Sequence, residues 1–213
     1  MPVTELAFTV LDAAPERYAA APTLLFRVRL TESTGATVHA VALRAQVQIE
    51  PQRRRYAERE QDGLADLFGP PERWSQTLRP FLWAHAVALV PGFTGDVEFD
   101  LPVACTYDFE VAAAKYLHAL GDGEVPLRLL FSGTVFTRGG TGFAVEQVPW
   151  HQEAVHRLPV PVWRAVMDAH FPGGGWIRLD RDSLDALARY RSARGLVSWE
   201  ATLAELLPTE VPR

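Results

Sequence analysis

PLRLLFSGTVFTRGGTGFAVEQVPW, residues Pro126–Trp150, reads as two antiparallel β-strands joined by a glycine-rich turn. Leu127, Leu129, Phe131, Gly133 and Val135 share one parity and point to one face of a pleated strand. Arg128, Ser132 and Thr134 point to the other, with Leu130 and Phe136 among them. Arg138-Gly-Gly-Thr-Gly142 supplies residues that tolerate positive φ, and Phe143 and Val145 resume the alternation. A strand with apolar groups on both faces belongs in the middle of a sheet that is covered twice.

Working outward, Leu6, Phe8 and Val10 alternate with small or polar residues, and Leu24, Phe26, Val28 and Leu30 alternate with Arg27 and Arg29. Val41, Leu43, Ala45, Val47 and Ile49 share a third stripe. Strands separated by short turns favour an antiparallel sandwich over a βαβ fold. Past Pro51 the pattern changes. RRRYAEREQDGLADL (53–67) carries helix formers interrupted by Gly63, which predicts a broken or short helix. ERWSQTLRPFLW then predicts a helical turn burying Trp74, Leu78 and Trp83.

The β-pattern returns as a stripe of Trp83, Val87 and Leu89, then Val97, Phe99 and Leu101, then Tyr107, Phe109 and Val111. Residues 112–120 read as a short crossing helix stopped by Gly121-Asp-Gly123. From Leu158 the composition is helical. Pro161 suits a first turn, and Trp163, Val166, Met167 and His170 form a stripe. Asp180 or Asp182 and Ser198 are cap candidates for two later helices, with Gly195 between them. The fold class is therefore α+β, mainly β. An immunoglobulin-like antiparallel β-sandwich spans residues 1–157, with a helical insertion at about 53–82. A C-terminal helical segment, 158–213, is integrated with it and packed on the sheet.

A net charge of −5 in 213 residues argues against a broad nucleic-acid surface. One cysteine, Cys105, excludes an internal disulfide, and no apolar stretch is long enough for a membrane helix. These features predict a cytoplasmic protein. His151 and His156 are five apart, about 140° around a helix at ~100° per residue, unlike the i, i+4 pair of a zinc helix. His39, His85, His118 and His170 stand alone, so no metal or other cofactor is expected. Cys105 lies in LPVACTY, the setting of a small buried hydrophobe. Ser132 lies mid-strand, outside any nucleophile elbow. Asp66, Glu72, Asp108 and Glu110 are available carboxylates that no spacing singles out. The glycines at 139–142 and 173–175 lack the following helix and Lys-Ser/Thr of a phosphate loop.

Arg53, Arg54 and Arg55, the only basic run, lie on the insertion beside Tyr56 and are the candidate partner contact, although Glu58, Glu60 and Asp62 also balance them. Beyond single features, QIEPQRRRY (48–56), DLFGPPERW (66–74), DLPVACTYDF (100–109), VPLRLLFSGTVF (125–136), QVPWHQEA (147–154), LPVPVWRAVMDAHFP (158–172) and WIRL (176–179) resemble a bacterial family known as a domain of unknown function. The resemblance spans nearly the whole chain. It implies no catalytic residues, and it points to accessory proteins encoded beside nickel–iron hydrogenase genes. The functional expectation is a non-catalytic accessory or protein-interaction module with another protein as partner, assisting a nickel–iron hydrogenase. Its rivals are an enzyme with a nonlocal carboxylate/histidine site and a small-molecule binding sandwich. A deep polar pocket gathering several ionisable groups would favour the enzyme; an exposed apolar patch beside Arg53–Arg55 would favour the interaction module.

Overall fold

A computed structural model describes residues 4–106, 108, 111–139, 142–173 and 177–207. Two antiparallel sheets face each other. The first runs β1 (Leu6–Pro15), β2 (Thr23–Glu32) and β5 (Asp96–Ala104), in that order. The second runs β4 (Phe81–Thr94), β3 (Thr37–Ile49), β6 (Glu124–Gly139) and β7 (Gly142–Gln147), with β8 (Glu153–Pro159) also on β6. The sandwich expected from the alternation is the observed fold.

β6 is central, as its two-faced pattern requires. It pairs with β3 along one side, while β8 takes the first half of its other side and β7 the second. Leu127, Leu129, Phe131 and Val135 are buried inward, and the Phe131 ring stacks on Phe8 of the opposite sheet at 4.1 Å. The partner change falls at Gly133, whose carbonyl accepts from Val148 N–H at 2.9 Å. The tip of the β6–β7 turn and the β-pattern at Tyr107 and Phe109 lie outside the described residues.

The first sheet's outer face is charged: Arg27 and Arg29 stand directly across from Asp100 and Glu98, at 2.7 and 2.6 Å. β4 departs from its expected stripe. A bulge opposite Val47/Gln48 leaves Trp83 unpaired, and Trp83 meets the buried Phe26 edge-on at 6.4 Å. Past that bulge the strand's parity turns over. Ala86 and Val90 are buried, whereas Val87 and Leu89 are 63% and 76% exposed on the outer face.

The insertion folds as a 3-10 turn (Pro51–Arg53), α1 (Glu58–Phe68), a second 3-10 turn (Pro71–Arg73) and α2 (Trp74–Thr77). Gly63 does not break α1. A Cβ there would lie 3.1 Å from Ala119 Cβ, so the glycine lets α1 approach α3 (Ala112–Ala119) closely. Tyr56, Phe68, Trp74, Phe81 and Tyr116 form an aromatic cluster between insertion and sandwich, edge-to-face except for the tilted Phe68–Phe81 pair. α4 (Val160–His170) buries Val160, Trp163, Val166 and Met167 and meets β1, β2 and β8.

Residues 1–175 form one compact unit, and 176–213 a second. The second holds α5 (Arg181–Arg194) and α6 (Trp199–Leu206). Asp180 caps α5 through Ser183 N–H and Ser198 caps α6 through Ala201 N–H, as their positions predict. Gly195 ends α5 at φ 63°, and the Arg191 guanidinium lies 4.2 Å over the Trp199 ring.

Candidate functional site

Four separated segments converge on a cleft of about 670 Å³. Arg54 reaches it from the chain after the first 3-10 turn, Arg59 and Glu60 from the first turn of α1, His118 to Asp122 from the end of α3, and Arg164 from α4. Its floor is a tightly bonded ion pair. Arg54 Nη2 lies 2.5 Å from Glu60 Oε1, with both side chains under a tenth exposed. Glu60 also accepts from Gly121 N–H at 2.7 Å and from Ala57 N–H at 3.1 Å. Arg54 donates to the Asp122 and Glu124 carbonyls at 2.7 and 3.1 Å. Guanidinium and carboxylate thus pin the start of α1 to the loop after α3. Arg164 Nη2 holds the Leu120 carbonyl at 2.6 Å, where α3 leaves acceptors unsatisfied.

The cleft's acid–base capacity is small. Burial, then the nearby Arg164 charge, pushes His118 down to about 4, so its imidazole is neutral near pH 7. The ring lies edge-on to Trp163 at 4.8 Å. Both oxygens of Glu60 are already engaged.

The structure divides the Arg53–Arg55 run. Arg53 leans back onto buried Glu50 at 3.1 Å, and Arg128 meets the same carboxylate at 2.9 Å. Arg54 is inside the fold. Arg55 is exposed. Thus only part of the run is available at a surface. Glu60, His118 and Arg164 carry no local motif that marks them. The one legible hint was Glu60 three residues after Ala57, the carboxylate half of a capping box.

Cys105 is buried, and that burial pushes its thiol up to about 12, so it is held as a thiol. Among the described residues, no group of three His, Cys, Asp or Glu could hold a metal ion, and no helix is long and apolar enough to cross a membrane.

A family model matches residues 3–213. The chain belongs to the family of unknown function DUF6084. No curated protein matches this DUF6084 chain. Among solved structures it is similar to a putative ApaA protein from Bordetella pertussis, with 13% identity over 73% of this chain and 95% of that one, at a TM-score of 0.29. It is also similar to a β-glucosidase from Kluyveromyces marxianus (10% identity, 73% of this chain, 15% of that one, TM-score 0.25). A third is β-glucosidase 3B from Thermotoga neapolitana (13%, 72%, 17%, 0.26).

Proposed function

We propose that this DUF6084 chain is a non-catalytic accessory module that engages another protein, and that nickel–iron hydrogenase assembly is the setting to test first. The observation that supports this reading is β4. It is the outermost strand of its sheet and, among the described residues, pairs only with β3. Its fourteen residues, FLWAHAVALVPGFT, include no Asp, Glu, Lys or Arg. Proteins ordinarily guard a long edge with charge, because its free N–H and C=O groups template pairing with another chain. Here Val87 and Leu89 stand exposed beside that edge, while the other sheet's outer face is laced with ion pairs. A backbone edge with no hydrogen-bonded neighbour strand among the described residues, next to an apolar strip, suits a partner that adds a strand.

The ionisable cleft favours the enzyme reading less. Its buried carboxylate, Glu60, is bonded three ways, its histidine binds protons weakly, and arginines are poor acids and bases.

The test compares affinity purification of the wild-type chain and a Val87→Glu/Leu89→Glu variant from the native bacterium, with mass spectrometry of what co-elutes. Both substitutions lie on the exposed face, so the fold should survive. A stoichiometric partner lost with the variant supports the reading. The same partner at the same yield overturns β4 as the contact, and hydrogenase components absent from both eluates overturn the assembly setting.

A further inference from the structure

The cleft walled by Arg54, Arg59 and Arg164 points to a ligand of its own, independent of the β4 edge. Three arginines line it against two carboxylates, Glu60 and Asp122, in a chain whose net charge is −5. The Arg54–Glu60 pair neutralises itself. Among the described residues, neither Arg59 nor Arg164 lies within ion-pair distance of a carboxylate. Two like charges therefore face one cavity whose lining, beyond the paired Glu60, offers only Asp122 to offset them.

Their donors are largely unspent. Arg164 directs one nitrogen, Nη2, to Leu120 O, which fixes the guanidinium while its remaining N–H groups stay available. Arg54 Nε, buried in the wall, makes no hydrogen bond. The first turn of α1 adds the positive end of its dipole beside Arg59. At about 670 Å³ the cavity falls within the size range of small-molecule sites, about 300–1,000 Å³. Ala57, Ala119 and Leu120 give it an apolar wall.

We infer that this cleft binds a small oxyanion, a carboxylate or phosphate compound, clamped between Arg59 and Arg164. Guanidinium forks match both groups in two-point contacts. The Arg54–Glu60 pair serves as the rigid floor that positions α1 against α3.

The test is calorimetric titration of the full chain with two probes, citrate and inorganic phosphate, each in chloride buffer at constant ionic strength. Saturable one-to-one binding of either probe is expected, and which one binds distinguishes a polycarboxylate site from a phosphate site. Arg59→Ala, on an exposed side chain with no hydrogen bond or ion pair among the described residues, should weaken binding about tenfold or more. Arg164→Lys keeps the charge and loses the fork, and should also weaken binding, with any fall in Tm from the altered Leu120 contact read separately by thermal unfolding. If that variant misfolds, Arg59→Ala decides alone. Absence of saturable binding by the wild type for both probes overturns the inference, as does Arg59→Ala binding as tightly as wild type.

Discussion

Gly133 lies so close to Ala42 that a Cβ added to it would sit 2.2 Å from the Ala42 carbonyl oxygen and 3.1 Å from Leu43 Cα. Its φ of 148° is also one that side chains rarely adopt. Both neighbours are backbone in the paired strand β3, so nothing there can swing aside. Gly133→Ala should therefore cost about 2–6 kcal/mol, combining backbone strain and overpacking. Urea denaturation measures this directly, and a midpoint within error of wild type would show that β3 and β6 can separate locally at no cost.

The arginine run should split in the same assay. Arg54→Ala leaves buried Glu60 without its cation and two carbonyls without donors, and should cost about 3–5 kcal/mol. Arg55→Ala should stay within about 0.5 kcal/mol of wild type. Equal effects at the two positions would contradict the buried pair.

Helix caps were the most legible part of the sequence, because Asp180, Ser198 and Gly195 act on residues within a few positions of themselves. The central hairpin was legible for the same reason. What could not be read was nonlocal. Arg53, Arg54 and Arg55 look alike in sequence, and only the distant Glu60, Asp122 and Glu124 make Arg54 a buried strut. Gly63 resembles a helix breaker until Ala119 is placed against it. In β4 the bulge at Trp83 depends on the register with β3, and that single extra residue decides that Val87 and Leu89 face outward.

Two tyrosines give a directional test. Tyr56 donates to Pro51 O at 2.7 Å, so at 2.8 Å the fully buried Tyr116 hydroxyl donates to Tyr56. Tyr56→Phe strands a buried donor and a carbonyl, and should cost about 1–3 kcal/mol. Tyr116→Phe removes only a donor that Tyr56 can do without, and should cost about 0.5–1.5 kcal/mol. Thermal unfolding of both variants checks the order, and a reversal would contradict the Tyr56–Pro51 bond.

Acid should weaken the fold from about pH 6.5 downward. Burial, then the Arg164 charge, lowers His118 to about 4, and burial also lowers His156. Between the unfolded and folded values the unfolded chain binds more protons, so stability falls as pH drops through this window and is unaffected above it. Glu32 adds to the loss at lower pH. Burial raises its carboxyl, but the Thr34 hydroxyl and the Thr34, Ala36 and Glu5 N–H groups outweigh that and hold it below its ordinary value. His118→Gln should flatten the slope between pH 6.5 and 4 in urea midpoints, and an unchanged slope would remove His118 from the account.

The boundary between sandwich and helices can be tested by truncation after Arg157. That cut divides β8 and removes Leu158, Val160, Trp163, Val166 and Met167, each at most 3% exposed. All of them belong to the same core as Phe26 and Leu127. The cut also takes away Val160 N–H, which bonds Gly123 O at 2.8 Å, and the Arg164 contact that holds the end of α3. Each large side chain contributes roughly 1.5–3 kcal/mol on burial, so the five together are worth on the order of 10 kcal/mol. A domain's whole stability is typically about 5–15 kcal/mol. The truncated chain should therefore be insoluble or lack a cooperative transition, which calorimetry and near-ultraviolet circular dichroism would show. A soluble, monomeric chain ending at Arg157 with a sharp unfolding transition would mean that α4 rests on a sandwich able to close its core without it.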